Sequence, residues 1–114
     1  MGRLTIAIDF DDTFTADTQA WTHVIKVLQS FGHVVFCVSA RTDFEGNRRE
    51  LLNALPDGVC VFLSGERQKA AFIQEQGQHV DIWIDDCPSV IPTIKDLSLS
   101  LEWAMDTENG VDDV

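Results

Sequence analysis

Positive charge is scarce in this chain. Its 114 residues include 8 Lys and Arg against 19 Asp and Glu, which gives a formal net charge of −11 at pH 7. Proteins that bind polynucleotides or anionic membranes over a broad face need basic surface. The composition therefore argues against both partners, although a small anion can still reach such a surface through a bound cation.

Cysteine is also scarce, and long apolar runs are missing. Cys37, Cys60 and Cys87 are odd in number and show no zinc-binding spacing. No apolar run approaches the length that spans a membrane, and the first residues lead straight into a strand-like segment, which leaves no room for a signal peptide. We therefore expect reduced thiols, no membrane partner and a cytoplasmic protein.

Strand-like and helix-like segments alternate along the chain. Four apolar runs are typical of buried strands and end near Ile8, Ser39, Leu63 and Ile84. A fifth segment, with leucines at 97, 99 and 101, alternates like an edge strand. The order predicts an α/β fold with a doubly wound, Rossmann-like, mostly parallel five-stranded sheet. We place this single domain at residues 1–104 and expect the acidic tail, 105–114, to be frayed.

Capping residues suggest where the helices begin. Asp17 or Thr18 would cap the first helix, and the sequence from Thr42 to Glu45 is typical of a capping box for the second. Ser64-Gly65 would begin the third. The apolar positions expected to face inward are Trp21, Val24, Ile25, Leu28 and Phe31 in the first helix, and Phe44, Leu51, Leu52 and Leu55 in the second.

Carboxylates follow two of the predicted strands directly. Asp9 and Asp11 come after the first strand, and Asp85 and Asp86 come after the fourth. In an open α/β sheet the carboxyl ends of the strands form the ligand-binding edge. Carboxylates crowded together repel one another unless a cation lies between them, and Mg²⁺ prefers such oxygen ligands. The sequence therefore predicts a magnesium site at this edge.

Four motifs accompany the four strands in order. They are D-x-D-x-T at Asp9, Asp11 and Thr13; a serine, Ser39; a basic residue, Lys69 or the nearby Arg67; and an acidic pair, Asp85 and Asp86. Over residues 4–95 this set resembles the haloacid dehalogenase superfamily of phosphohydrolases. The resemblance implies a phosphatase, because the second acid at position 11 is typical of the phosphatase and phosphomutase branches.

The resemblance also implies a role for each motif residue. Asp9 would be the nucleophile that takes the phosphoryl group, and Asp11 would be the general acid and then the general base. Mg²⁺ would be held by Asp9, the backbone carbonyl of Asp11, and Asp85, with Asp86 bound directly or through water. Lys69 would neutralise the charge that develops on the nucleophile and the phosphate.

The remaining residues would bind the phosphate or orient the acid. Ser39 and its neighbours Ala40 and Arg41 would contact phosphoryl oxygens, although an exposed surface role for Arg41 is equally open. Thr13 would help to orient Asp11. At position 12 the chain has Asp where many members of the superfamily have Gly, which suits a tight turn less well.

No inserted cap domain fits between the motifs. The site should therefore be open, on a monomer or on an oligomer whose neighbour covers it. We expect a small phosphomonoester as substrate, such as a nucleotide. The alternatives are a polynucleotide or protein phosphoester, a catalytically weak phosphate-binding or interaction protein with this fold, and a phospho-receiver domain, which is disfavoured because no Asp follows the third strand.

Each motif residue also has an ordinary structural explanation. A serine often ends a strand, and a lone lysine on a helix is usually solvated. Asp85 and Asp86 could simply cap a following helix, because carboxylates suit helix N-termini. The functional interpretation depends on all four motifs meeting at one edge of the sheet.

Overall fold

The computed structural model describes residues 2–92. Its strands are β1 (Thr5–Ile8), β2 (Val34–Ser39), β3 (Cys60–Leu63) and β4 (Ile82–Ile84). Its helices are α1 (Thr18–Ser30), α2 (Glu45–Ala54) and α3 (Lys69–Glu75), with 3-10 turns at Phe14–Ala16 and Pro88–Val90. The fifth strand predicted around residues 97–101 and the tail at 105–114 lie outside the described residues.

All four strands pair in parallel, in the order β3-β2-β1-β4. The chain steps outward from β1 to β3, then returns to the other side of β1 to form β4. This gives an α/β, Rossmann-like arrangement whose strand order reverses between β1 and β4. In such sheets, the crevice at the carboxyl ends of the two strands that flank the reversal is where ligands bind.

The helices cover both faces of the sheet. On one face, Ile25 of α1 and Leu51 of α2 pack with alternate residues of β1, β2 and β3 in a continuous apolar core. On the other face, Ile73 of α3 packs with Phe36 and other sheet residues in a second, smaller cluster. Since alternate residues of a strand point to opposite faces, strands apolar along their whole length are needed between two such layers.

The helix boundaries differ in part from the sequence prediction. Asp17 does cap α1, because its side chain accepts a hydrogen bond from the backbone N–H of Ala20 at 3.1 Å. The capping box predicted for α2 is wrong: the helix begins at Glu45, and Phe44 occupies the N-cap position with no side-chain hydrogen bond. The helix predicted to begin at Ser64-Gly65 begins instead at Lys69.

Several residues expected in the core are exposed. Phe31 is 78% exposed and Phe44 57%, while Leu52 is 52% and Val24 39% exposed. Phe31 lies just beyond the last turn of α1, and Phe44 just before the first turn of α2, so neither follows the helical periodicity that was used to place it inward.

Within residues 2–92, the structure contains no helix with the length and apolar character needed to span a membrane.

Candidate active site

Strand register brings two of the carboxylates together. Ile8 of β1 is paired with Ile84 of β4, so Asp9 and Asp85 are the next residues of two adjacent parallel strands. The backbone N–H of Asp9 donates to the carbonyl of Ile84 at 2.9 Å. The pairing of the two strands therefore continues as far as Asp9. Both carboxylates therefore lie at the reversal of strand order.

The ammonium of Lys69 lies between these two carboxylates. Its Nζ is 2.7 Å from Asp9 Oδ1 and 2.6 Å from Asp85 Oδ2. The side chains of Lys69 and Asp85 are each 2% exposed. Lys69 is the first residue of α3, and side chains of a helix tilt toward its N-terminus, here toward the strand ends. Of the two basic residues considered from sequence, Lys69 reaches the site, whereas Arg67 pairs with Glu75.

Thr13 links Asp9 to Asp86. Its hydroxyl lies 3.3 Å from Asp9 Oδ2 and 3.1 Å from Asp86 Oδ1, and it accepts a hydrogen bond from the backbone N–H of Asp86 at 3.1 Å. Because a hydroxyl has one proton, it can donate to only one of the two carboxylates at a time. Thr13 thus orients Asp9 and Asp86, and among the described hydrogen bonds it makes none to Asp11, the residue that it was expected to orient.

Three carboxylates converge closely enough to share one cation. Asp9, Asp85 and Asp86 each place an oxygen within 4.8 Å of the others. With Lys69 as their cationic partner, the group keeps two negative charges uncompensated. Burial raises the pKa of Asp9 above its ordinary value of 3.8, although the contact with Lys69 opposes this shift. Hard oxygen donors with this excess of charge fit Mg²⁺, with Asp9, Asp85 and Asp86 as the side chains that would hold it.

Asp11 lies at the same edge but is held by a different partner. Arg41 donates two hydrogen bonds to the carboxylate of Asp11, from Nε to Oδ2 at 2.9 Å and from Nη2 to Oδ1 at 2.8 Å. These hydrogen bonds hold the pKa of Asp11 below its ordinary value. The carboxylate of Asp11 is therefore kept ionised, and it lies apart from the three carboxylates that converge.

The far side of Arg41 is held by helix α2. Glu50 accepts hydrogen bonds from Nη1 at 2.8 Å and from Nη2 at 3.1 Å, and Asn47 Oδ1 accepts one from Nη1 at 3.2 Å. Neither Asn47 nor Glu50 was anticipated from the sequence. Their spacing of three residues places them on one side of the helix, but no sequence pattern indicates that this side faces Arg41.

Ser39 lies buried at the end of β2. It is 1% exposed, and its hydroxyl accepts a hydrogen bond from the backbone N–H of Arg41 at 3.1 Å. Its carbonyl accepts from the backbone N–H of Ser64 at 2.8 Å. Ala40 and Arg41, the next two residues, do line the cavity above the carboxylates. Ser39 fixes the loop that presents them.

The turn after β1 includes a residue in a left-handed backbone conformation. Asp12 has a φ of 65°, a region that L-residues other than Asn and Asp seldom adopt. The hydroxyl of Thr15 accepts a hydrogen bond from its backbone N–H at 2.9 Å and so supports the turn. Position 12 thus has the backbone conformation that glycine adopts most readily, and Asp is among the other residues that tolerate it.

An open cavity of about 340 Å³ lies over these groups, lined by Asp9, Asp11, Asp12, Ala40, Arg41, Lys69, Asp85, Asp86, Cys87 and Val90. Comparisons of the chain with protein-family models, with curated proteins and with solved structures gave no match. The chemistry of the site therefore rests on its geometry. It combines a largely desolvated carboxylate, an ammonium beside it, an acidic cluster suited to a divalent cation, and a second carboxylate in its basic form.

Proposed function

We propose that this protein is a Mg²⁺-dependent phosphohydrolase of the haloacid dehalogenase type, which cleaves phosphomonoesters through an aspartyl-phosphate on Asp9. The observation that carries the proposal is the ammonium of Lys69 set between Asp9 and Asp85 at the edge of the sheet. An anionic carboxylate can attack an anionic phosphate only where positive charge offsets their repulsion. A buried ammonium in contact with the nucleophile supplies part of that charge.

The first step is attack by a carboxylate oxygen of Asp9 on phosphorus. A bond forms between that oxygen and phosphorus, and the bond from phosphorus to the ester oxygen breaks with its electron pair. Lys69 donates to Asp9 Oδ1, and the Thr13 hydroxyl lies 3.3 Å from Asp9 Oδ2, so the two contacts together restrict the orientation of the attacking carboxylate. For this step Asp11 must carry a proton, the form that the ion pair with Arg41 disfavours, and it donates that proton to the departing alcohol oxygen.

The second step releases phosphate. Asp11, now a carboxylate, removes a proton from water as the water oxygen attacks phosphorus, and the bond to Asp9 breaks. The ion pair with Arg41 favours the ionised form of Asp11 that this step needs. Mg²⁺, held by Asp9, Asp85 and Asp86, with the carbonyl of Asp11 as a further ligand, would supply charge compensation for the phosphoryl oxygens.

The charge of the chain bears on the size of the substrate. The open cavity, of about 340 Å³, falls within the range for small-molecule sites but sets no upper limit on substrate size. The net charge of −11 disfavours a long polynucleotide. A small phosphomonoester, such as a nucleotide, is therefore the substrate class that we assign.

One observation favours the second candidate, a catalytically weak phosphate-binding protein of the same fold. Asp11 is already engaged through both of its oxygens by Arg41, so the general acid is not free in this conformation. A phosphohydrolase should turn over a phosphomonoester, whereas a weak phosphate-binding protein should bind phosphate with little or no turnover. An assay of turnover therefore separates the two candidates.

The decisive experiment is a panel of phosphomonoesters assayed with Mg²⁺ and with EDTA. We expect turnover that needs Mg²⁺ and is abolished in Asp9→Asn, because an amide cannot form an acyl phosphate under these conditions. Asp11→Asn should lose about 10² to 10⁴-fold in rate and should accumulate phosphorylated Asp9, which intact-mass spectrometry detects.

Asp17→Asn is the matched control, since it removes a carboxylate further along the same loop while keeping the oxygen that caps α1. It should retain wild-type turnover. Equal activity in Asp9→Asn and wild type would contradict the nucleophile assignment. Phosphate binding without turnover of any ester would favour the weak-binding alternative.

A further inference from the structure

We infer that Arg41 is a positioning residue for Asp11, anchored by Glu50 and Asn47, and that it is not a ligand for the substrate phosphate. The inference deepens the proposed function and rests on it where it concerns rate. It also assigns a purpose to two residues of α2 that no sequence motif indicated. Arginines beside phosphate sites commonly bind the phosphate directly, so the distinction has to come from the contacts of this guanidinium.

Every N–H of the guanidinium is already in use. Arginine has five donors in a planar fork. Nε and one hydrogen of Nη2 bind Asp11, the other hydrogen of Nη2 binds Glu50, and Nη1 divides its two between Glu50 and Asn47. A phosphate oxygen could gain a hydrogen bond from Arg41 only if one of these partners were given up.

Local charge does not favour that exchange. Two carboxylates, Asp11 and Glu50, contact the single positive charge of Arg41. The neighbourhood of the guanidinium therefore carries a net negative charge, which repels a phosphate dianion. The buried ammonium of Lys69 and the cation expected beside it are the groups that can offset phosphate charge.

Arg41 is also held through its backbone and by an aromatic ring next to its guanidinium. Its N–H donates to Ser39 Oγ, and its carbonyl accepts from the backbone N–H of Gly65 at 3.2 Å. Its guanidinium carbon lies 5.3 Å from the centre of the Phe10 ring, within cation–π range. The loop of Arg41, rather than the side chain alone, is thus fixed to the ends of β2 and β3.

The residues of α2 that bind Arg41 belong to a helix that is packed against the sheet. Leu51, adjacent to Glu50, is fully buried in the larger core cluster and fixes the helix against the sheet. Asn47, besides accepting from Arg41, donates from Nδ2 to the carbonyl of Thr42 at 2.9 Å, which closes the loop between Arg41 and the helix. Asp11 is therefore oriented through Arg41 by a packed helix.

Steady-state kinetics separate the two roles. If Arg41 positions Asp11, Arg41→Ala should lower kcat by about 10²-fold, the scale of a misplaced catalytic group, while KM and the inhibition constant for inorganic phosphate stay within about threefold of wild type. Arg41→Lys should behave similarly, because a lysine cannot make the fork contacts. Glu50→Gln should lose kcat in the same direction but by less.

Double variants test the route of the effect. In an Asp11→Asn background, Arg41→Ala should cause little further loss of kcat, because residues that act as a unit are not additive. Glu45→Gln is the matched control for Glu50→Gln: it neutralises a carboxylate of the same helix, in an exposed pair with Arg49, and should change neither constant. A rise in KM and in the phosphate inhibition constant that persists without Asp11 would overturn the inference.

NMR tests the anchoring of Arg41 without a measurement of turnover, so its result does not depend on the proposed function. NMR should show slow rotation about the Nε–Cζ bond of Arg41 in wild type and fast rotation in Glu50→Gln, in samples whose amide spectra show an intact fold. Saturating inorganic phosphate with Mg²⁺ should leave that slow rotation unchanged. Release of the guanidinium by phosphate would overturn the inference. A locked guanidinium in a protein that hydrolyses no ester would support the anchoring while rejecting the proposed function.

Discussion

Lys69 is a lysine with 1% of its surface exposed, in contact with two carboxylates. Moving an ammonium out of water costs several kcal/mol, and only close, well-formed ion pairs offset that cost. Hydrogen bonds of 2.7 and 2.6 Å to Asp9 and Asp85 meet that requirement. Lys69 thus links the side chains of Asp9 and Asp85 and places a positive charge next to both carboxylates.

Replacement of Lys69 should therefore destabilise the fold. We expect Lys69→Met, which keeps the length of the side chain, to lower the free energy of unfolding by about 3–5 kcal/mol, because it leaves buried carboxylates without their partner. Chemical denaturation without divalent cations measures this. Lys26→Met on the exposed side of α1 is the control and should change stability by less than about 0.5 kcal/mol. Equal, small effects of the two variants would show that the ion pairs contribute little.

Among individual residues, the sequence was most informative where a side chain directly follows a strand. Asp9 and Asp85 meet because parallel strands in register end side by side, which follows from the strand pattern. Glu50 and Asn47 could not be found in this way, since their contact with Arg41 depends on how α2 is rotated about its axis. That rotation is set by Leu51 packing in the core, a contact distant in sequence.

Among the secondary-structure elements, the strands were predicted better than the starts of the helices. The segment from Thr42 to Glu45 has the letters of a capping box, but the Thr42 carbonyl accepts hydrogen bonds from Phe44 N–H and Asn47 Nδ2 in a local turn. Before α3, Gly65 has a φ of +61° and Ser64 is tied to the carbonyl of Ser39. These contacts across strand ends delay the helix until Lys69, and residue preferences alone do not reveal them.

The cap of α1 is an element whose contribution can be measured. Asp17→Ala should lower the free energy of unfolding by about 0.5–2 kcal/mol, because the N–H of Ala20 loses its acceptor. Asp17→Asn should cost only a few tenths of a kcal/mol, since it keeps the acceptor and loses only the favourable charge at the helix N-terminus. Thermal and urea unfolding of the two variants measure the difference. Equal losses would assign the effect to charge rather than to the hydrogen bond.

Across the molecule as a whole, negative charge dominates. A chain with a net charge of −11 repels itself, and any salt relieves part of that repulsion. A gain of stability in Mg²⁺ is therefore evidence for a site only when it exceeds the gain in NaCl of the same ionic strength. The gain of stability in Mg²⁺ should also require the carboxylates at the reversal of strand order, because the excess of negative charge there is local and partly buried.

The pH dependence of stability should report this site. Burial raises the folded pKa of Asp9 above 3.8, so folding favours its protonated form. The stability that this group contributes is then fully present below pH 3.8 and is lost as the pH rises through the folded pKa. In EDTA, measured between about pH 4 and about pH 7, wild type should accordingly lose stability relative to Asp9→Asn as the pH rises through the folded pKa of Asp9. The loss is larger the further the folded pKa of Asp9 lies above its unfolded pKa.

Addition of Mg²⁺ at pH 7 should reverse that loss, because the proposed cation would bind the ionised carboxylate. The gain should reach about 2.7 kcal/mol at a concentration 100-fold above the dissociation constant, and it should be much smaller in Asp9→Asn. Urea unfolding of both proteins across this pH range, in EDTA, in MgCl₂ and in NaCl of matched ionic strength, measures both effects. A difference between wild type and Asp9→Asn that is independent of pH would contradict the raised pKa of Asp9. An equal gain from Mg²⁺ in both proteins would place the cation elsewhere on the acidic surface and would remove Asp9 from the metal site.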